Sequence, residues 1–515
     1  MAGRGVLAGL IALLTLLLLV PAAVNRGVIQ FPDTTTYVRG FDAAVVAATG
    51  HGSSWSEDAR RALAEARAAA PRAPATAEEA GTGEAGASQT GASEAGASEA
   101  AAPARRTGAF TVVLSGRSIY YGALLYVAHW LGSLWWVALA QAALTATAIL
   151  LAARRLIGAE APAERLWPVL AIALVTSVGM QVALLMPDIF APLAILATAQ
   201  IALFWPRLGT GERLFWPLLL AAAALFHSGN ILVIGLLAAG LVAWRVVGRA
   251  RLTLLPILLA LLTGVAGEAA FGAAVRAATG AGPVRPPFVA ARLIADGPGR
   301  RYLAHACAEG STLTLCRYRT RIPDDSDAFL WASTPGSFMA MPAEDRRRVA
   351  AEERGFALAV LADAPLAVIG TSLRNIGGQL LRWQVDDIAD ARRGGVNRAK
   401  LPPEVRAAYD RTRAAHGDFP SGYYDALALP VTLLAAAVLL ALALPRRAGM
   451  PAARRGYVAV VVAGILLNAA VCGAFSKPHD RYQSRVIWLV PLLATAALIG
   501  ARRRAPVRGA APANV

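Results

Sequence analysis

Apolar runs close to the length of a membrane span recur along this chain of 515 residues and limit what it can fold into. Because lipid offers the backbone no hydrogen-bond partners, only helices and closed barrels cross a membrane. Several runs are shorter than the roughly 20 residues of a standard span, but their lengths favour helices over strands. The sequence therefore predicts an all-α polytopic membrane protein with ten transmembrane helices. The runs cover residues 6–24, 134–153, 166–185, 189–205, 214–226, 231–244, 252–275, 427–444, 457–475 and 486–500.

Basic residues outside the long loops flank the apolar runs at alternate connections. They include Arg154 and Arg155 after the second run, and Arg502, Arg503 and Arg504 after the last. Under the positive-inside rule, this alternation predicts that both termini face the cytoplasm, and we expect a bacterial inner (cytoplasmic) membrane. The net charge of +17 is thus interpreted as topology control, with membrane lipid rather than nucleic acid as the partner.

The span count also predicts the domain organisation. Residues 1–24 are interpreted as a retained first helix, although Val20-Pro21-Ala22-Ala23 resembles a signal-peptide cleavage site. Residues 68–104 are rich in Ala, Gly, Glu, Ser and Thr, a composition that predicts disorder. The remaining parts are an extracytoplasmic loop over 25–132 that contains this insert, transmembrane helices over 133–275, an extracytoplasmic helical loop over 276–426, transmembrane helices over 427–500 and a basic cytoplasmic tail over 501–515.

The loop over 276–426 is too polar to span. Its apolar stretch Phe356–Val368 is short and is expected to be interfacial or packed. If this loop is extracytoplasmic, a disulfide between Cys307 and Cys316 is plausible. A metal site there is less favoured, because His305 is the only other soft ligand nearby.

The short segment Ser476–Arg485 lies between the last two apolar runs, where the span count predicts an outside loop. Such loops normally avoid Lys and Arg. Cations placed against this trend indicate an anionic headgroup to be held, and the alternative is general binding of lipid phosphates. The candidate binding residues are Lys477, His479, Arg481, Tyr482 and Arg485.

Two acidic residues are the catalytic candidates. Asp33 follows the first run, where low-dielectric surroundings would raise its pKa and let it act as a base. The alternative is a helix N-cap, with Asp42 as a weaker candidate base. Asp188 lies in the Met186-Pro187-Asp188 connection, where an ordinary turn is the simpler interpretation. Together the two carboxylates would lie on one membrane face.

Three further residues are candidates for substrate or phosphate binding. Glu268 lies within a predicted span, where an ionisable group suggests function, although a cap or a snorkelling side chain would explain it equally. His227 occupies a predicted outer turn and would contact a phosphate or hydroxyl if it is not structural. Arg117 is suited to bidentate phosphate contacts but would also serve as an interfacial anchor.

Three motifs together resemble the GT-C class of integral-membrane glycosyltransferases, which includes protein mannosyltransferases and lipid A aminoarabinose transferases. They are Pro32-Asp33-Thr34-Thr35-Thr36-Tyr37, the segment Arg117–Gly122 that leads into the second run, and His479-Asp480-Arg481-Tyr482. The resemblance covers about residues 6–275 and 427–500. It implies a GT-C-like fold, a polyprenyl-phosphate-linked sugar donor and transfer on the extracytoplasmic face of a cell envelope membrane.

The resemblance also implies roles for the candidate residues. Asp33 would be the base that activates the acceptor hydroxyl, and Asp188 would assist it or help to bind a divalent ion. The first loop departs from the pattern, because it carries a single Asp where several GT-C families have an adjacent acidic pair. This leaves the metal requirement and the identity of the base open. The donor phosphate would be held by Lys477, His479, Arg481 and Arg117.

Two other classes of function stay open. A transporter or flippase for a lipid-linked or anionic substrate would use the same cations, although we find no convincing repeat of apolar segments and the ionisable residues collect at the ends of the runs. A non-catalytic membrane protein of envelope assembly is the third possibility. The sequence has no nucleotide-binding loop, no dinucleotide fingerprint and no zinc-hydrolase motif.

Overall fold

The computed structural model describes residues 2–56, 113–158, 162–389, 395–443 and 451–502. The predicted disordered insert over 68–104 and most of the predicted tail over 501–515 lie outside these residues. Within the described part the regular structure is helical, with two isolated bridges, Ile29 with Leu184 and Leu114 with Val284. The α-helices are Ala2–Leu18, Val20–Val24, Pro32–Thr49, Ile119–Trp130, Trp135–Ile157, Ile172–Val175, Val178–Ala183, Phe190–Phe204, Thr210–Phe226, Ser228–Val247, Leu255–Thr279, Phe288–Ala295, Pro298–Ala308, Ser326–Trp331, Ala343–Asp363, Pro365–Leu380, Asp386–Ala389, Pro403–Asp410, Arg413–His416, Gly422–Ala443, Ala452–Phe475, Asp480–Ile487 and Leu489–Arg502. The 3-10 helices are Ala163–Ala171, Pro187–Ile189, Trp205–Arg207, Thr314–Tyr318, Phe338–Ala340 and Arg398–Lys400.

Eight segments within the described residues are helical, long and apolar enough to cross a membrane. The protein is therefore an all-α, multi-pass membrane protein, but the count of ten spans is not reproduced. A ninth span results only if Ala343–Asp363 and Pro365–Leu380, which meet at a bend of 107°, are counted as one. The eight are Gly5–Val24, Trp135–Ile157, Pro187–Arg207, Ser228–Val247, Leu255–Thr279, Gly422–Leu442, Ala452–Phe475 and Asp480–Ala501.

Two predicted spans differ from the structure. The run over 166–185 is broken into Ala163–Ala171, Ile172–Val175 and Val178–Ala183. Pro168 removes a backbone donor there, and the Thr176 hydroxyl donates to the carbonyl of Ile172 at 2.6 Å. The run over 214–226 forms part of Thr210–Phe226, a helix of 17 residues. At 1.5 Å per residue it would cover about 25 Å, short of a hydrocarbon core of about 30 Å.

The predicted loop Ser476–Arg485 is shorter than its sequence suggested. The chain turns helical again at Asp480, and this helix runs directly into the last span. Its polar side chains lie inside the protein and not in a solvent-exposed loop: Gln483 and Ser484 are fully buried, as is Asn468 on the neighbouring helix. Arg481 and Arg485 therefore project from the first turns of a buried helix and not from a loop.

The segment over 276–389 has its own small core but also packs on the bundle. Phe329, Phe338 and Phe356 are buried together in this core, so the predicted apolar stretch Phe356–Val368 is packed at its start and then crosses the bend. Cys307 and Cys316 are joined by a disulfide. Helix Pro365–Leu380 contacts helix Ala452–Phe475, which fixes this segment to the bundle.

One end of the bundle carries the chain after the first span, the Asp188 turn and the segment over 276–389. We call this end the loop face. Here the chain after the first span is tied to the chain before Asp188. The N–H of Ile29 donates to Ala183, the N–H of Leu185 donates to Ile29, and the Thr34 hydroxyl donates to Leu185 at 3.0 Å. These contacts bring the start of helix Pro32–Thr49 beside the Asp188 turn.

Helix Ile119–Trp130 lies unusually close to helix Pro32–Thr49. Gly122 makes this possible, because a Cβ at this position would lie 2.2 Å from the carbonyl oxygen of Tyr37. Glycine permits close approach of two backbones where any larger residue would clash. This packing places Arg117, which precedes helix Ile119–Trp130, against Asp33 in the first turn of helix Pro32–Thr49.

Candidate functional site

A buried ion pair between Asp188 and Arg485 lies at the centre of the candidate site. An Nη1 of Arg485 is 3.3 Å from Oδ1 of Asp188, and both side chains are almost fully buried. Asn468 holds the guanidinium from the other side, with its Oδ1 accepting from Arg485 Nη2 at 2.8 Å. Arg481, one helical turn earlier, places its Nε 3.7 Å from the same carboxylate oxygen. One carboxylate thus faces two guanidiniums, and the centre carries excess positive charge.

Asp33 forms a second ion pair, with Arg117 Nη2 at 2.8 Å from its Oδ1. Asp33 is not the helix cap: the N-cap residue is Phe31, whose N–H donates to the Thr34 hydroxyl at 3.0 Å. Burial by itself would raise the pKa of the Asp33 carboxyl, but Arg117 and Arg481 outweigh it, and the pKa lies below its usual range. The prediction of a raised pKa for Asp33 was therefore wrong, because the fold also places two arginines close to this carboxyl. Asp33 is an anion at neutral pH.

Arg481 links the two ion pairs and is itself incompletely satisfied. Its guanidinium carbon lies 4.2 Å from the ring centroid of Phe31 and 5.2 Å from that of Tyr482. Its Nε and Nη1 are buried, and neither has a hydrogen-bond partner among the described residues. At 3.7 Å, Asp188 is too distant for a hydrogen bond. Since an unpaired buried donor costs about 1–3 kcal/mol, this arginine is set up for an acceptor that the described residues do not supply.

His227 adds a neutral donor to the site. Burial and the charges of Arg485, Arg117 and Arg481 lower its pKa to about 4, against the opposing influence of Asp188. Its Nδ1 accepts from the N–H of Gly229 at 3.0 Å, which assigns the proton of the neutral ring to Nε2. His227 therefore presents an N–H at pH 7 without adding charge.

Tyr482 lies against both arginines of its helix, with the Arg485 guanidinium carbon 5.4 Å from its ring centroid. It is therefore placed to stack on the cations. Glu268, in contrast, is exposed on helix Leu255–Thr279. It lines a small recess together with Arg117, Tyr120 and Phe271, beside the site.

Lys477 and His479 are not brought to the Asp188 centre. Lys477 Nζ lies 2.6 Å from Asp325 Oδ2, and His479 Nε2 lies 2.9 Å from Asp327 Oδ2. Both carboxylates belong to the segment that caps the loop face. These two residues therefore fasten that segment to the last span, and their predicted phosphate contacts receive no geometric support.

A divalent metal does not fit Asp33 and Asp188. Each carboxylate is paired with an arginine, and positive guanidiniums around the acids would repel a cation. The described residues also contain no group of three His, Cys, Asp or Glu side chains positioned for a metal ion.

Two residues of the site were not predicted from the sequence. Asn468 lies inside an apolar run, where its polar side chain was the available signal. Asp387 lies near Arg481, and its Oδ1 is buried without a partner among the described residues. Burial is the main cause that raises the pKa of Asp387 to about 6. The adjacent acids Asp386 and Asp387 were the sequence signal, in a loop far from the first motif.

The geometry is the basis for any functional conclusion, since the chain matches no family model, no curated protein and no solved structure in comparisons with all three.

Proposed function

We propose that this protein is a membrane glycosyltransferase of the GT-C type, which transfers a sugar from a polyprenyl-phosphate carrier to an acceptor at the loop face. The observation that carries the proposal is the buried Arg481, whose Nε and Nη1 have no acceptor within the described part of the chain. A lipid-borne phosphate offers the oxygens that such donors need, and Arg is the residue best suited to them. The orientation is proposed from the basic residues that flank the ten predicted runs, which favour an extracytoplasmic position for this face and cytoplasmic termini.

The arrangement of charges suits a phosphate leaving group. As the bond between the sugar C1 and the phosphate oxygen breaks, its electron pair leaves with the phosphate. Arg481 would stabilise that growing charge, and the Nε2–H of His227 is a second donor within the same electrostatic environment. Donors fixed before the reaction need no reorganisation, which is the main advantage of a preorganised site.

Asp33 is proposed to orient the acceptor hydroxyl and to take its proton. The acceptor oxygen bonds to C1, and its proton passes to the carboxylate as that bond forms. A carboxylate with a lowered pKa is a weak base, but a hydroxyl becomes strongly acidic as its oxygen bonds to an electron-poor carbon. Asp188 would act indirectly, by holding Arg481 and Arg485 in position.

Product analysis tests the proposal. The purified chain in proteoliposomes is incubated with a polyprenyl-phosphate sugar, and the products are separated and identified. A new covalent sugar product that disappears in Asp33→Asn, with the variant still present in the membrane, is the expected result. Movement of the lipid-linked sugar across the bilayer without a covalent product would instead identify a flippase and refute the transferase. If neither transfer nor movement occurs with any donor supplied, a non-catalytic envelope protein becomes the better account.

A further inference from the structure

A basic recess lies on the loop face outside the site described above. It is about 370 Å³ in volume and is lined by Arg26, Arg411, Arg413, His416 and Asp418. None of these residues contacts the Asp188 centre or has a role in the proposed transfer. The recess is formed where the end of the first span meets the chain that precedes helix Gly422–Ala443.

The two walls of the recess are fixed to each other through Asn25, which is fully buried. The Asn25 carbonyl accepts from the N–H of Arg413 at 3.0 Å, and its Oδ1 accepts from the N–H of Ala414 at 2.9 Å. Its Nδ2 donates to the carbonyl of Gly27 at 2.9 Å. These hydrogen bonds fix the backbone at Arg26 relative to the backbone at Arg413. The two arginines therefore lie on walls whose relative position is set by the fold.

Arg26 occupies a backbone conformation that favours glycine. Its φ is 61°, in the left-handed region, and the following N–H of Gly27 returns to the carbonyl of Ala22 to end the helix. Glycine is the usual residue at this position of a helix end because it has no Cβ to strain. An arginine here is unfavourable for the backbone, so its presence points to a use for the side chain.

Positive charge in the recess is poorly balanced. Among the described residues neither Arg26 nor Arg411 forms an ion pair, and the only carboxylate in the lining, Asp418, lies 3.9 Å from Arg413 Nε, beyond hydrogen-bond distance. The His416 ring is held by its Nε2 against the carbonyl of Asp410 at 2.8 Å. Three guanidiniums facing one loosely held carboxylate favour an anion with several oxygens.

The surroundings indicate that this anion belongs to a lipid. The recess lies at the loop-face ends of helices Gly5–Val24 and Gly422–Leu442, and both helices contact the short helix Ile172–Val175. The two long helices expose apolar side chains along their length, among them Leu16, Val20, Leu429 and Leu433. We propose that this recess binds the phosphate of an anionic phospholipid headgroup, with the acyl chains against these exposed apolar side chains.

Native mass spectrometry of the purified full chain with added phosphatidylglycerol tests this site. The triple variant Arg26→Gln, Arg411→Gln, Arg413→Gln should retain this lipid about tenfold more weakly than the unmodified chain, since it loses several charge-assisted hydrogen bonds. The matched control removes the same charge from exposed arginines elsewhere on the loop face, as Arg301→Gln, Arg319→Gln, Arg321→Gln, and should leave retention unchanged. Equal weakening in both triple variants, or none in either, would overturn the proposal.

Two further measurements keep the test decisive. Arg411 is exposed, so the single variant Arg411→Gln should fold normally and still weaken retention by several-fold, whereas unchanged retention in this folded variant would count against the site. Glycerol 3-phosphate, a headgroup without acyl chains, serves as the competitor. If it fails to displace the lipid, the acyl chains contribute as proposed, and if it displaces the lipid fully, the recess recognises phosphate alone and the lipid-specific assignment is wrong.

Discussion

Arg485 and Asp188 form a buried ion pair although 297 positions separate them in the chain. The Arg485 guanidinium also donates to Asn468 at 2.8 Å, so its orientation is fixed on two sides. Removing one partner of such a pair leaves a buried charge without compensation, whereas removing both avoids that cost. This pair is therefore both the anchor of the candidate site and its most sensitive point.

We expect Asp188→Asn to lower the free energy of unfolding by about 3–5 kcal/mol, because it leaves the Arg485 charge buried and unpaired. The double variant Asp188→Asn, Arg485→Gln should recover a large part of this loss. Thermal or denaturant unfolding in detergent, arranged as a double-mutant cycle, measures the coupling. Strictly additive losses would show that the two side chains do not interact as the distance between them indicates.

Arg481→Gln should reduce kcat/KM for transfer by about 100-fold or more, because it removes the donors proposed to stabilise the leaving phosphate. The protein should remain folded, since the substitution also removes buried donors that have no partner among the described residues. Arg382→Gln is the matched control: Arg382 pairs with Asp480 at 3.3 Å but is half-exposed at the surface. A similar loss of activity in both variants would argue against a specific role for Arg481.

The ion pair of Asp33 with Arg117 should make stability depend on acid pH. A carboxyl with a lowered pKa in the folded state adds stability above its unfolded pKa, and this stability is lost as the pH falls through the folded value. Asp33→Asn should therefore lose stability at neutral pH and show a shallower decline in strong acid than the unmodified chain. Unfolding curves recorded from neutral pH down to about pH 3 provide the comparison, and parallel declines would contradict the prediction.

Asp387 should have the opposite effect on stability. Its pKa is raised to about 6, so the folded state binds its proton more tightly than the unfolded state does, and stability falls as the pH rises from the usual carboxyl range through 6. Asp387→Asn keeps the size of the side chain and removes the charge. Relative to the unmodified chain it should be more stable at pH 8 than at pH 4, as judged by melting temperature. The reverse order would show that Asp387 is favoured as an anion.

Gly122→Ala should lower both stability and transfer. Its Cβ would meet the Tyr37 carbonyl, and separating the two helices would move Arg117 away from Asp33. The control is Gly40→Ala on helix Pro32–Thr49, an exposed position where an added Cβ would meet open space. That change should be neutral or raise stability by about 0.5–1 kcal/mol, because alanine is the better helix former. Equal behaviour of the two variants in unfolding and transfer assays would remove the steric explanation.

The local hydropathy pattern was sufficient to predict a helical, multi-pass protein, because each apolar run can be recognised from its own residues. It failed over 166–185, where Pro168 and the Thr176 hydroxyl break a run that is apolar throughout its length. It also failed to extend the last helix back to Asp480, since the polar residues there resemble a loop when their buried partners are unknown. The ten-span count erred where neighbouring polar contacts, rather than hydropathy, set the ends of helices.

The candidate site residues also divide into those whose role the local sequence indicated correctly and those whose partners it could not indicate. Asp33, Asp188, Arg117, Arg481 and Arg485 carried local signals of unusual charge, and the fold brings them together. Lys477 and His479 carried the same signal but are paired with Asp325 and Asp327, which lie about 150 positions earlier in the chain.

The sequence by itself determined that this chain is a bundle of apolar helices with charged residues collected at their ends, because hydropathy is a property of each segment alone. Only the tertiary structure decided which charges meet. Asp188 acquires two arginines, Asp33 acquires a lowered pKa, and Arg481 is left with donors that lack acceptors among the described residues. The reason is that an electrostatic interaction depends on distance and burial, and both are fixed by contacts between segments that lie far apart in the chain.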